Sequence, residues 1–199
     1  MPAIAITGSI GSGKSLVLKT LAHLLHAETF SADEENKVLL DSDDEVKKLI
    51  QTQFGEKFYQ QDGSADRKAL FSLISQDSKA RTILESILHP RLQARWKPEA
   101  EKFFHDQKSF FIAEIPLLYE KGLDVFFDKT IVVECSDAVR RVRLQQFRSI
   151  SAAETDAWLN IQSSQILKAI KADYLLWNDG SLDTLDRQIK LLVSHFRQS

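Results

Sequence analysis

The stretch GSIGSGKS, Gly8 to Ser15, lies between the apolar run Ala3-Ile4-Ala5-Ile6-Thr7 and the segment SLVLKTLAHLLHA, which starts at Ser15. It matches the spacing G-x-x-x-x-G-K-[ST] at Gly8, Gly13, Lys14 and Ser15. Three of the chain's seven glycines fall inside it, a density suited to a backbone whose successive N–H groups turn inward, a curl that bulky Cβ atoms hinder. An anion in such a curl also meets the positive end of the following helix. In this pattern the lysine, Lys14, reaches the β- and γ-phosphates of a nucleotide, and the hydroxyl of Ser15 binds Mg²⁺. The candidate nucleotide contacts are Gly8, Ser9, Ile10, Gly11, Ser12, Gly13, Lys14, Ser15 and Leu16, with ATP and Mg²⁺ as the implied ligands.

Reading outward, short apolar runs alternate with amphipathic segments. ETF before Ser31, SFFIAEI (109–115), KTIVVEC (129–135) and ADYLLW (172–177) read as four further strands. Their continuous apolar character suits a sheet covered on both faces. Leu16, Leu18, Leu21, Leu24 and Leu25 mark a helix after the loop, and Leu182 to Phe196 a closing one. Strands separated by helices imply right-handed crossovers, hence an α/β fold with three layers, α/β/α, around a mostly parallel five-stranded sheet. From Asp33 to Gln107 the pattern is helical, punctuated at FGEKF, at QDGS and at His89-Pro90. That is too long for a simple crossover. The expected division is a nucleotide-binding core of 1–32, 108–136 and 171–199, a helical substrate insertion of 33–107 and a helical lid region of 137–170.

With 26 basic and 28 acidic residues the chain carries a net charge of −2, which excludes a global field for nucleic acid or anionic membrane. The lone Cys135 excludes an internal disulfide and reads as a buried, inert thiol. No basic leader or long apolar span is visible, and the expectation is a soluble cytoplasmic protein with no obligate protein partner.

A phosphate loop alone does not separate a kinase from a GTPase or a motor. The guanine-reading string N-K-x-D is missing from the sequence. A small-molecule kinase needs an acceptor base beyond the second strand, an arginine-bearing lid and a substrate-binding insertion. Asp33, in FSADEENK, is the candidate base; the same segment also reads as a helix N-cap with an acidic first turn. The lid candidate is AVRRVRLQQFRS, with Arg140, Arg141, Arg143 and Arg148. Guanidinium groups closing over a phosphoryl group in flight stabilise its charge, whereas a solvated helix face is the other reading.

Taken with LHP at Leu88 to Pro90, IPLLYE at Ile115 to Glu120, and Asn178-Asp179-Gly180, these features resemble the dephospho-coenzyme A kinase family from about Ile4 to Val193. The resemblance implies phosphorylation of the ribose 3′-hydroxyl of dephospho-CoA by ATP. The alternatives are another small-molecule kinase of this architecture, acting on a nucleoside monophosphate or shikimate, and a weakly active nucleotide-binding relative. It further implies Asp33 as base, Lys14, Arg143 and Arg148 as catalytic partners, and Asn178 and Gly180 at the adenine. Lys37, Arg67, His89, Pro116, Leu117 and Glu120 follow as acceptor contacts, while Gln162, Lys168 and Ala172-Asp173 fall at family-like spacings. Glu114 has two readings, a carboxylate that steadies Mg²⁺ through water or a core-edge acid.

Three positions depart from the family pattern. Ser9 stands for a glycine, Ser31 for the first aspartate of DAD, and Phe147 for a lid arginine, with Arg148 one place late. A one-residue shift turns a helical side chain by ~100°, so Arg148 substitutes only where the helix ends; SIS after it reads as a helix stop and new N-cap.

Overall fold

The computed structural model describes residues 3–105, 109–148, 151–161 and 165–198. Strand β1 (Ala3–Thr7) is central in a sheet whose other members are β2 (Glu28–Ser31), β3 (Phe111–Glu114), β4 (Lys129–Glu134) and β5 (Tyr174–Trp177), in the order β2-β3-β1-β4-β5. All four pairings are parallel. Alternation along β1 divides its side chains between two layers. Ile4 and Ile6 face helices α1 (Lys14–Leu25) and, later in the chain, the closing helix Leu182–Gln198, through Val17, Leu21, Ile189 and Phe196. Ala3 and Ala5, with Ala113, face the opposite layer, where their small size leaves room for Trp96, Ala100 and Phe103. The three-layer α/β/α class read from the sequence is therefore observed.

Between β2 and β3 run α2 (Ala32–Ser42), α3 (Asp44–Phe54), a 3-10 turn (Glu56–Phe58), α4 (Arg67–Gln76) and α5 (Ser78–His105). They close an apolar cluster of their own, from Leu39, Val46, Ile50, Leu70 and Leu88 among others. Asp43 and Asp66 cap α3 and α4, accepting from Val46 and Ala69 amides at 3.0 and 2.9 Å.

The expected break at His89-Pro90 does not occur, because α5 continues through both Pro90 and Pro98. Leu84, Ile87, Leu88, Leu92, Trp96, Ala100 and Phe103 form one buried stripe at helical spacing, whereas both prolines are exposed. Proline deprives the carbonyl four residues back of its donor, and on the solvent side water replaces it. Burial of the stripe then outweighs the local cost.

The region read as helical from 137 to 170, with a stop expected at SIS, is divided. It contains α6 (Asp137–Arg148), α7 (Ala152–Ile161) and α8 (Gln165–Lys171), followed by β5 and α9 (Leu182–Gln198). The stop and N-cap read in SIS correspond to a reciprocal cap: Ser151 Oγ accepts from the Glu154 amide at 3.3 Å, and Glu154 accepts from the Ser151 amide at 3.1 Å. Residues 149–150 and Gln162 lie outside the described residues, as do the side chains of Phe147 and Arg148. Among the described residues no helix is long and apolar enough to cross a membrane.

Candidate active site

At the carboxyl end of β1 the chain turns sharply, with positive φ at Gly8, Gly11 and Gly13. Only two of these need glycine for space as well. A Cβ on Gly8 would overlap the backbone carbonyl of Val133, and one on Gly13 the side-chain amide of Asn178. The loop delivers Lys14 and Ser15 at the start of α1. Lys14 is buried and its Nζ donates to the Ser9 carbonyl at 3.0 Å.

Parallel register then brings carboxylates to the loop. Ser31 on β2 and Ile6 on β1 both lie level with Glu114, the last residue of β3. Glu114 is 1% exposed. It accepts from Ser15 Oγ at 3.1 and 3.2 Å and from Ser31 Oγ at 3.1 Å. Burial pushes its carboxyl above the usual range; Lys14 and the two serine hydrogen bonds oppose that shift, and the neighbouring Asp33 adds to it.

Ser31 also caps α2, its Oγ accepting from the Glu34 amide at 3.4 Å. The cap is thus Ser31, and Asp33 sits in the first turn beyond it. Gly11, Gly13, Lys14, Ser15, Leu16, Asp33, Glu114, Arg143 and Leu144 line one cleft of about 190 Å³. The candidate base, the phosphate-loop lysine and one lid arginine therefore share a cavity although they come from three separate parts of the chain.

The arginines of α6 divide their work. Arg143 donates to the Asn178 carbonyl at 2.9 Å and, at 3.4 Å, to the carbonyls of Gly11 and Ser12. Arg140 is buried and donates to the Ile10 carbonyl at 3.2 Å and to Asp137 at 2.9 Å. Arg141 is exposed and pairs with Asp156 of α7. Cys135 is buried as expected, and burial lifts its thiol to about 11 even though the Arg143 guanidinium lies 3.6 Å away. The Arg143 guanidinium, eight residues on and one turn into the arginine run, thus adjoins the thiol.

Asn178 is buried beneath the loop, where its Nδ2 donates to the Ser12 carbonyl at 2.8 Å. Its neighbour Asp179 accepts from the Ser136 amide at 2.6 Å, and Gly180 approaches Thr184 closely. Lys37, one turn past Asp33, pairs with Glu34 at 2.8 Å. Arg67 pairs with Asp41 at 2.6 Å. His89 is partly buried on α5; burial lowers its pKa, Glu85 raises it and Lys121 lowers it further. Pro116 accepts from Thr7 Oγ1 at 3.1 Å, Leu117 follows it half-buried, and Glu120 pairs with Lys168 at 3.0 Å. None of these six lines the cleft that holds Asp33 and Lys14.

Glu134 and Leu144 are not among the candidates read from the sequence, and Arg140 enters there only as one of four lid arginines. Glu134 ends β4 as Glu114 ends β3, so both strands flanking β1 close an apolar run with glutamate. That repeated ending was the available signal. Leu144 carries none, and the arginine run does not single out Arg140, because helical pattern alone does not say which face of α6 meets the loop.

Comparison with known proteins agrees with the fold. A family model described as dephospho-CoA kinase matches residues 2–184. A dephospho-CoA kinase of Chlorobaculum tepidum is 31% identical over 191 residues, covering 94% of this chain and 91% of that protein. Among solved structures, a Thermus thermophilus protein superposes with a TM-score of 0.70 at 28% identity, covering 97% of this chain and 96% of its own. A dephospho-CoA kinase from Campylobacter jejuni gives 0.62 at 25%, covering 98% and 96%.

Proposed function

The chain belongs to the dephospho-CoA kinase family, a phosphotransferase family using ATP, and from that premise we propose how its own residues share the transfer to the ribose 3′-hydroxyl of dephospho-CoA. The observation that carries the reading is the single cleft onto which Asp33, Lys14, Ser15 and Arg143 all open. Asp33 accepts the proton of the 3′-hydroxyl as that oxygen attacks the γ-phosphorus. Lys14 leaves the Ser9 carbonyl for the β- and γ-oxygens, and the loop amides hold the remaining charge. Arg143, and Arg148 from the end of α6, close over the transferring group and keep water from it. The leaving ADP remains in the loop until α6 moves away.

Ser15 and Glu114 suit Mg²⁺, since a small hard cation takes one or two protein oxygens and keeps several waters. Ser15 would hold it directly and Glu114 would orient its water, the ion supplying neutralisation of phosphate charge. The domain reading follows: 33–107 receives the acceptor and 137–170 forms the lid, with Lys37, Arg67, His89, Pro116, Leu117 and Glu120 as acceptor contacts and Asn178 and Gly180 at the adenine. The setting is the cytoplasm, with small molecules as partners.

Steady-state ADP release with Mg-ATP tests the reading, comparing dephospho-CoA with adenosine analogues, a nucleoside monophosphate and shikimate. Dephospho-CoA should stimulate turnover far above the others. Equal or greater stimulation by another acceptor overturns it.

A further inference from the structure

Beside the cleft lies a second set of charges that the transfer itself does not use. Glu134 is 1% exposed, and its Oε1 accepts twice from one residue: from the Ser9 amide at 3.0 Å and from Ser9 Oγ at 2.9 Å. The hydroxyl half of that grip exists because this chain has serine at position 9. Ser9 is held from its other end as well, because its carbonyl accepts from Lys14 Nζ at 3.0 Å and from the Ser12 amide at 3.2 Å. The orientation of Ser9 therefore decides where Lys14 rests.

A buried carboxylate beneath a phosphate site poses an electrostatic problem, since it repels the triphosphate unless a cation masks it. Burial pushes the Glu134 carboxyl up, while Ser9 and the positive charges of Arg140 and of Lys168, 1% exposed on α8, which packs on β4, oppose that shift. Lys168 also lies 3.0 Å from Glu120, as an ion pair rather than an aligned hydrogen bond.

We propose that Glu134 is a positioning residue for the nucleotide, fixing Ser9 and thereby the point from which Lys14 reaches the phosphates, and that Lys168 masks its charge so that it can do so without repelling ATP. The inference rests on the loop being the ATP site, which is checked separately: Lys14→Ala should abolish ATP binding in a direct titration of the wild-type and variant chains.

The test is kinetic, with KM measured for each substrate. Glu134→Ala removes the acceptor of two donors, both buried, and should raise KM for ATP about tenfold. Lys168→Met unmasks the carboxylate and should raise it similarly. Because glutamine still accepts from Ser9 but carries no charge, Glu134→Gln combined with Lys168→Met should recover most of the loss seen in Lys168→Met alone. KM for dephospho-CoA should stay within about twofold in Glu134→Ala, a split that a general loosening of the fold would not produce; Lys168→Met also removes the partner of the acceptor contact Glu120, so in the variants that carry it only the ATP KM is read. The proposal is overturned by an ATP KM that stays within twofold in Glu134→Ala, by both KM values rising together in that variant, or by no recovery of the ATP KM in the double variant. If Lys168→Met does not fold, Glu134→Ala alone decides.

Discussion

Asp33→Asn separates the two roles that FSADEENK suggests, because the structure assigns a different size to each. The helix cap is Ser31, whose Oγ accepts from the Glu34 amide, so asparagine at 33 leaves the cap intact. What it removes from α2 is one negative charge in the first turn, worth ~0.3–1 kcal/mol, and with it the repulsion that Asp33 exerts on Glu114. For a chain of this size 1 kcal/mol corresponds to a shift of ~2–4 °C in Tm, so melting should move by only about 1–4 °C. Loss of a general base costs ~10²–10⁴ in rate, equal to ~3–5 kcal/mol of barrier. The assay is coupled ADP release with saturating dephospho-CoA and Mg-ATP, run beside thermal melting and a nucleotide titration. The expected result is kcat lower by at least a hundredfold, with nucleotide affinity within a few-fold. A kcat within threefold of wild type, at whatever Tm, leaves Asp33 as an acidic first-turn residue and refutes its role in proton transfer.

Arg143→Ala withdraws the charge-assisted donor from Asn178 and the loop carbonyls; KM for ATP should rise about tenfold with a fall in kcat, and an unchanged kcat would confine Arg143 to holding the loop. Glu114→Gln should raise Tm at pH 8 and lower Mg-ATP kcat/KM by ~10–100-fold. Burial lifts the folded-state carboxyl above its ordinary 4.5, so the native state binds more protons there than the unfolded chain, and the cost of the charge grows as pH rises through that window. The gain in Tm should therefore shrink as pH is lowered toward 4.5, and a gain that does not vary with pH would contradict this cause. Pro90→Ala supplies the missing helical donor on the exposed side of α5 and should raise Tm by about 4–10 °C, from ~3 kcal/mol of helix cost less ~0.4–1 kcal/mol of lost chain stiffening; a fall in Tm would mean that proline stiffens the unfolded chain by more than it costs the helix.

Local pattern sufficed for the parts of this protein whose physics is local. The inward-turned loop needs glycine at fixed intervals, buried parallel strands need unbroken apolar runs, and Ser151 with Glu154 needs only four consecutive residues; each was visible in the letters. Helix breaking at His89-Pro90 was equally visible and did not occur, because burial along the whole of α5 outweighed a local preference. The loop, Asp33, Glu114 and the arginines of α6 were candidates in the sequence and Glu134 was not, but which of these groups meet is set by contacts more than eighty residues apart: Glu114 with Ser15 and Ser31, Glu134 with Ser9, Arg140 with Ile10, Arg143 with Gly11. Sheet order and register set those meetings, and so does the face that α6 turns to the loop. Neither can be read from spacing within one segment, because each follows from how separate segments bury their apolar sides together.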